Sequence, residues 1–105
     1  MKIILSIVIP AWNEQERLPP VLKKIRSYCD DALNASGYEV IVVDDGSRDK
    51  TATLVIEHAS AWPELRLIIL PENRGKGAAV RTGCVNALGE FVLFYDADGA
   101  APVDQ

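Results

Sequence analysis

No stretch constrains this chain more than Phe91-Val92-Leu93-Phe94-Tyr95-Asp96-Ala97-Asp98-Gly99. Five apolar or aromatic residues run unbroken into two carboxylates one residue apart. The run does not alternate polar with apolar, so it reads as a strand buried on both faces, the pattern of a parallel sheet. Asp96 and Asp98 then stand where the strand stops. Ligands in open α/β sheets bind beyond the carboxyl ends of the strands. Two carboxylates there, with Gly99 freeing the backbone, suit a hard cation that prefers oxygen ligands. A solvated Asp-Ala-Asp-Gly turn is the plain alternative, and this segment alone leaves it open.

The preceding chain repeats the same grammar. Ile3 to Ile9 is a β-branched run that reads as a central strand ended by Pro10. Pro10-Ala11-Trp12-Asn13-Glu14-Gln15-Glu16-Arg17 is a loop at its carboxyl end. Leu18, Val21, Leu22, Ile25, Tyr28, Cys29 and Ala32 recur at helical spacing. Pro19 and Pro20 fit the first turn, and Ser36-Gly37 is a plausible stop. Tyr38 to Val43 is the second strand. Ser47 or Asp49 could cap the next helix, with Ala52, Val55, Ile56 and Ala59 inward and Trp62-Pro63 closing it. Leu65 to Leu70 is the third strand. Pro71 to Gly77 is a loop, Ala78 to Leu88 a helix rich in small residues, and Phe91 to Tyr95 the fourth strand. Pro102 is placed to open one more helix.

The order β-α-β-α-β-α-β with short connections predicts an α/β fold, a Rossmann-like parallel sheet with helices on both faces. If strands two and three extend to one side of strand one and strand four returns to the other, the order is 3-2-1-4. The switch point then falls between strands one and four, lined by Pro10 to Glu14 and Asp96 to Asp98. Glu14, Asp45, Asp96 and Asp98 would gather at one sheet edge. Crowded like charges are costly unless a cation or hydrogen-bond donors compensate them. That convergence favours a metal-assisted site over a bare turn.

Other motifs fit the same edge. In Val43-Asp44-Asp45-Gly46-Ser47, the second carboxylate can accept hydrogen bonds from N–H groups of a base or from a sugar; capping and a turn need only one acid. Asn73-Arg74-Gly75-Lys76-Gly77 offers backbone N–H groups and a cation at a helix start, an anion cradle. It has neither P-loop spacing nor G-x-G-x-x-G, and its glycines serve a turn or close packing equally well. Lys76 and Arg81 are the stronger phosphate candidates. Trp12 could stack on a base or pack. Trp62 reads as core, and His58, the one histidine, as surface. No Ser/His/Asp or Cys/His constellation and no zinc-like spacing can be assembled.

Composition sets bounds. A chain of 105 residues makes one small domain, and 49% hydrophobic with 25% charged residues is ordinary for a globular protein. A net charge of −4 argues against a nucleic-acid polymer as partner. It leaves room for a single nucleotide held through a metal. Cys29 and Cys84 lie far apart within helical patterns, which suggests buried free thiols in a reducing compartment. The longest apolar run is too short to span a bilayer, and no signal-peptidase site follows it.

Four segments together resemble the family 2 glycosyltransferases. They are Ser6-Ile7-Val8-Ile9-Pro10-Ala11-Trp12-Asn13-Glu14, Val40 to Ser47, Asn73 to Arg81, and Asp96-Ala97-Asp98-Gly99-Ala100. The combination is most similar to the dolichyl-phosphate glucosyltransferase and mannosyltransferase branch, nearer its glucosyl side. The resemblance implies the N-terminal half of a GT-A fold that uses a nucleotide-diphospho-sugar, with uridine favoured. Pro10, Trp12, Glu14, Val43 and Asp45 fall on nucleotide-contacting positions, with tryptophan where the family usually has tyrosine; Ala11, Lys76, Asp96 and Ala97 complete the expected substrate-binding set. Asp96, Ala97 and Asp98 fall on the D-x-D motif, where Mg²⁺ or Mn²⁺ held by Asp96 and Asp98 bridges the diphosphate and offsets its charge. Transfer to an acceptor such as polyprenyl phosphate would invert the anomeric centre, with a general base expected downstream of Gln105. On this reading residues 1–105 are the nucleotide-sugar-binding part of the domain, cut after D-x-D and inactive alone. The expected location is cytoplasmic, at the membrane face if a further region anchors the protein. The alternative is a nucleotide-binding module without turnover of its own. A signalling receiver domain is disfavoured, because strands one and three do not end in its acidic positions. The apolar fourth strand, unpaired on one side, predicts self-association through Phe91–Tyr95.

Overall fold

The computed structural model describes residues 2–33 and 37–97. Seven elements follow in order: β1 (Leu5–Ala11), α1 (Leu18–Leu33), β2 (Tyr38–Asp44), α2 (Thr51–Ala59), β3 (Leu65–Ile69), α3 (Lys76–Asn86) and β4 (Phe91–Phe94). All strand pairs are parallel, in the order β3-β2-β1-β4. The expected topology holds. Ser36, Asp98, Gly99 and the helix expected at Pro102 lie outside the described residues.

Alternation along the central strands builds two cores. Ile7, Ile9, Val40 and Val42 face α1 and α2, whose Leu18, Leu22, Ile25, Cys29 and Val55 are buried against them. Val8, Ile41 and Val43 face α3 at Ala79. Trp62 closes the first core as expected, and its indole Nε1 donates to Tyr38 Oη at 2.7 Å. Arg26 lies over the same ring, 5.4 Å from its centroid. The small residues of α3 let it sit close to the sheet. Gly83 is buried there, and a Cβ on it would collide with the Val8 side chain.

Several boundaries differ from expectation. Pro10 does not end β1. Val8 accepts from the Tyr95 N–H on the β4 side, so Pro10, two residues on, turns its missing N–H to the same side. The register with β4 has already ended at Phe94, so no ladder bond is lost. Helix α3 begins at Lys76 and ends at Asn86, earlier at both ends than Ala78 to Leu88. Neither Ser47 nor Asp49 is the N-cap of α2, although Asp49 accepts from the Thr51 N–H at 2.9 Å.

The helical stripes are narrower than the spacing suggested. Tyr28, Ala32, Ile56 and Cys84 are exposed. Ile56 and Cys84 each follow a buried residue, Val55 and Gly83, and one residue turns a helix by about 100°. Only Cys29 is a buried thiol. Strand β4 is not buried on both faces. Phe91 is 65% and Phe94 48% exposed, and no described element covers Val92 and Phe94 on the α3 side.

One polar cluster lies beneath α3. Glu39 and Ser6 are buried opposite each other on β2 and β1. The Ser6 hydroxyl donates to Glu39 Oε2 at 2.6 Å, and the Leu88 N–H donates to the same oxygen at 2.7 Å. Arg66 Nε and Nη2 donate to Oε1 at 3.0 and 2.8 Å. The Gly89 N–H donates to Ser6 Oγ at 2.9 Å. Burial pushes the Glu39 carboxyl up. The Ser6 hydroxyl, the Leu88 N–H and the Arg66 guanidinium outweigh it, and the carboxyl lies below its ordinary value. The cluster pins the α3–β4 turn to the sheet, which aims β4 and the residues after it.

Candidate active site

Three loops meet at the carboxyl ends of the strands. The first leaves β1 at Ala11, whose carbonyl accepts from the Asp45 N–H at 2.8 Å. Asn13, with φ 51°, turns the chain toward the second loop. Its N–H donates to Ser47 Oγ at 2.8 Å, and its Oδ1 accepts from the Arg48 N–H at 2.9 Å. The Glu14 N–H donates to Thr51 Oγ1 at 2.9 Å. Asp49 adds a further tie. Burial pushes its carboxyl up, but the Thr51 hydroxyl and N–H and the Gln15 N–H bring it below the usual range.

The two acids of the second loop serve different turns. Asp44 Oδ1 accepts from the Ser47 N–H at 3.1 Å, closing its own turn. Asp45 reaches across to the third loop. Its Oδ1 accepts from the Arg74 N–H and its Oδ2 from the Gly75 N–H, both at 2.8 Å. Gly75 then takes φ 98° and α3 starts at Lys76. The ammonium of Lys76 meets the carboxylate of Asp96 just beyond β4.

A cleft of about 250 Å³ lies between these loops. Of the residues expected to bind substrate, it brings together Pro10, Ala11, Trp12, Glu14, Asp45, Lys76 and Asp96. Val43 and Ala97 are buried in the two cores and do not line it. Asp98 lies outside the described residues. Arg81 is exposed further along α3, away from the lining. Asn73, Gly75 and Ala79 complete the wall. The Asn73–Gly77 motif signalled the first two. Ala79 carries no sequence signal beyond the small-residue pattern of its helix.

The three carboxylates of the cleft are each compensated. Arg17 Nε stands 3.0 Å from Glu14 Oε2. Backbone N–H groups serve Asp45, and Lys76 serves Asp96. The start of α3 adds helix N–H groups and a positive dipole end at the same wall, which favours an anion. The ring of Trp12, 48% exposed, stands at the rim as a stacking surface. Among the described residues no group of three or more His, Cys, Asp or Glu side chains could hold a metal alone. A Mg²⁺-like cation requires only one or two carboxylates when phosphate and water complete its shell. Asp96, with hard oxygens at the cleft wall, fits one such position.

Residues 6–105 match the family model described as glycosyl transferase family 2. The chain belongs to this family. It is 43% identical over 101 residues to the human dolichyl-phosphate beta-glucosyltransferase, covering 91% of this chain and 31% of that protein. A dolichyl-phosphate beta-glucosyltransferase of Trichomonas vaginalis is 41% identical over 105 residues, covering 97% and 32%. The chain thus spans about a third of the length of these relatives. Among solved structures it is similar to the mannosyltransferase PcManGT from Pyrobaculum calidifontis in complex with GDP-Man and Mn²⁺. The TM-score is 0.78 and the identity 32%, over 93% of this chain and 28% of that one. S. aureus TarS 1-349 in complex with UDP gives a TM-score of 0.71 at 30% identity, over 93% and 28%. These two solved structures hold a guanosine and a uridine nucleotide respectively. Among the described residues no helix is long and apolar enough to cross a membrane.

Proposed function

We propose that this chain forms the donor-binding part of a glycosyltransferase that takes glucose from a uridine-diphospho-sugar. The acceptor is a polyprenyl phosphate, and the metal-assisted transfer inverts the anomeric centre. The observation that carries the reading is the cleft at the switch point. There the N-terminus of α3, Lys76 and Asp96 share one wall, and the Trp12 ring stands at its rim. An anion site beside a carboxylate suits a diphosphate with its cation, and an exposed ring beside them suits a base.

In this reading Pro10, Ala11, Trp12 and Glu14 face the nucleoside. Lys76 and the first turn of α3 face the diphosphate. Asp96, with Asp98, holds Mg²⁺ or Mn²⁺, which neutralises charge on the departing diphosphate when bound. Val43 and Ala97 contribute by packing the strand ends that carry Asp45 and Asp96. The names of the relatives support glucose and a dolichyl-type lipid acceptor, which would place the reaction at a membrane face. The bound nucleotides of the solved neighbours support a nucleotide-sugar donor.

Competitive titration tests the donor. With Mn²⁺ present, UDP-glucose should bind this chain at least about tenfold more tightly than GDP-mannose, a difference of ~1.4 kcal/mol. Tighter binding of GDP-mannose would overturn the uridine assignment.

A further inference from the structure

Asp45 directly follows β2. It is a buried carboxylate at the end of a central strand, yet its partners lie on another loop. Its two oxygens take the N–H groups of two successive residues, Arg74 and Gly75, each at 2.8 Å. Those residues immediately precede α3, and Lys76 is the first residue of that helix. Gly46, next to Asp45, makes a second contact with the same loop. A Cβ on Gly46 would lie 2.6 Å from the Glu72 carbonyl carbon and 2.7 Å from the Asn73 nitrogen. Gly46 also has φ 73°, a left-handed conformation that glycine adopts without strain. The β2–α2 and β3–α3 loops are therefore joined at two adjoining points, one hydrogen-bonded and one steric.

We propose that Asp45 is a positioning residue for the diphosphate. Its carboxylate fixes the backbone of Arg74 and Gly75, and so sets the entry angle of α3 and the place of Lys76 opposite Asp96. This rests on reading the cleft as a diphosphate site. A hydrogen bond to a charged acceptor is stronger than a neutral one, and here two act on adjacent amides. With Gly75 just before α3 and Gly77 in its first turn, an unbraced loop would let the start of the helix wander, because glycine has the largest backbone freedom to lose. The pairing also gives the Asp-Asp-Gly-Ser grammar a division of labour: Asp44 closes its own turn and Asp45 braces its neighbour. Each Asp45 oxygen keeps a second lone pair, so contact with a base or ribose remains compatible with bracing.

Two measurements test this. The first is hydrogen exchange on the nucleotide-free chain. In the wild type the Arg74 and Gly75 amides should be protected although both lie in a loop. In Asp45→Ala they should exchange at least about tenfold faster, and in Asp45→Asn one of the two should. Unprotected amides in the wild type would overturn the proposal whether or not the variants fold. The second uses inorganic pyrophosphate with Mn²⁺, a probe with no base or ribose. Asp45→Ala should weaken its binding about tenfold at unchanged secondary structure, and Asp45→Glu should not restore it. Equal pyrophosphate affinity in a folded Asp45→Ala variant would show that Asp45 does not act through the loop. Wild-type protein that binds neither pyrophosphate nor UDP with Mn²⁺ would overturn the diphosphate-site reading instead, and the proposal with it.

Discussion

The ammonium of Lys76, the first residue of α3, lies against the carboxylate of Asp96, two residues beyond the end of β4. One contact thus spans the switch point and joins the two groups assigned to the diphosphate and its cation. On the proposed function, a divalent cation arriving without nucleotide would have to take Asp96 from Lys76. A nucleotide arriving with its cation would offer Lys76 a phosphate in exchange.

Lys76→Gln should therefore separate the two events. Without nucleotide, the variant should bind Mn²⁺ about two- to fivefold more tightly, a size suited to a partly exposed pair. With Mn²⁺ present it should bind UDP more weakly than the wild type. Paramagnetic titration of Mn²⁺ and calorimetry of UDP measure the two effects. Weaker binding of Mn²⁺ alone would show that Lys76 does not compete for Asp96.

Glu39 should matter for stability. Glu39→Gln turns an amide NH₂ toward a site filled with donors from Ser6, Leu88 and Arg66. Breaking a buried pair costs about 3–5 kcal/mol, and the partial exposure of Arg66 sets the expectation near the lower figure. The folded carboxyl lies below its ordinary value of 4.5. Its contribution is therefore complete above the unfolded value and disappears as pH falls through the folded one. Urea titrations from neutral pH downward should show a shallower acid loss in Glu39→Gln than in the wild type.

The thiols should differ in reactivity. Cys84 is exposed and should react with an aqueous thiol reagent in the native chain. Burial, with the charges of Asp30 and Glu64, pushes the Cys29 thiol from 9.0 to about 11, so it should react only after unfolding. The native state then holds a proton that the unfolded state releases between these values, and stability should fall with pH across that window. Cys29→Ala should flatten the fall.

Strand β4 should drive self-association. It is paired only with β1 among the described residues, and Phe91, Val92 and Phe94 are exposed. Such an edge is a template for another strand. Light scattering at micromolar concentration should show dimers or larger species, and Val92→Lys should reduce them. A monomer in both would contradict this.

The sheet order and most of the cleft were readable from the residues alone, because both follow from strand ends. Unbroken β-branched runs mark parallel strands, and each run delivers its next residues to one edge. Pro10, Ala11, Trp12, Glu14, Asp45, Lys76 and Asp96 lie at or beyond those strand ends, and they line one cleft. The tie from Asp45 to Arg74 and Gly75 was not readable, since it joins positions 29 and 30 residues apart through backbone groups that leave no mark on composition. Nor was the pairing of Glu39 with Arg66, which requires knowing that the two side chains share the α3 face. The exposure of Cys84 and Ile56 was missed because apolar spacing gives a helical face but not its width.

The central claim is that Asp96 and a divalent cation hold the diphosphate of a nucleotide. Calorimetric titration of UDP into this chain, with Mn²⁺ or with EDTA, tests it most directly. Binding should require the metal, and Asp96→Asn should weaken it by about tenfold or more, at least ~1.4 kcal/mol. Equal affinity with EDTA present, or in Asp96→Asn, would contradict the account.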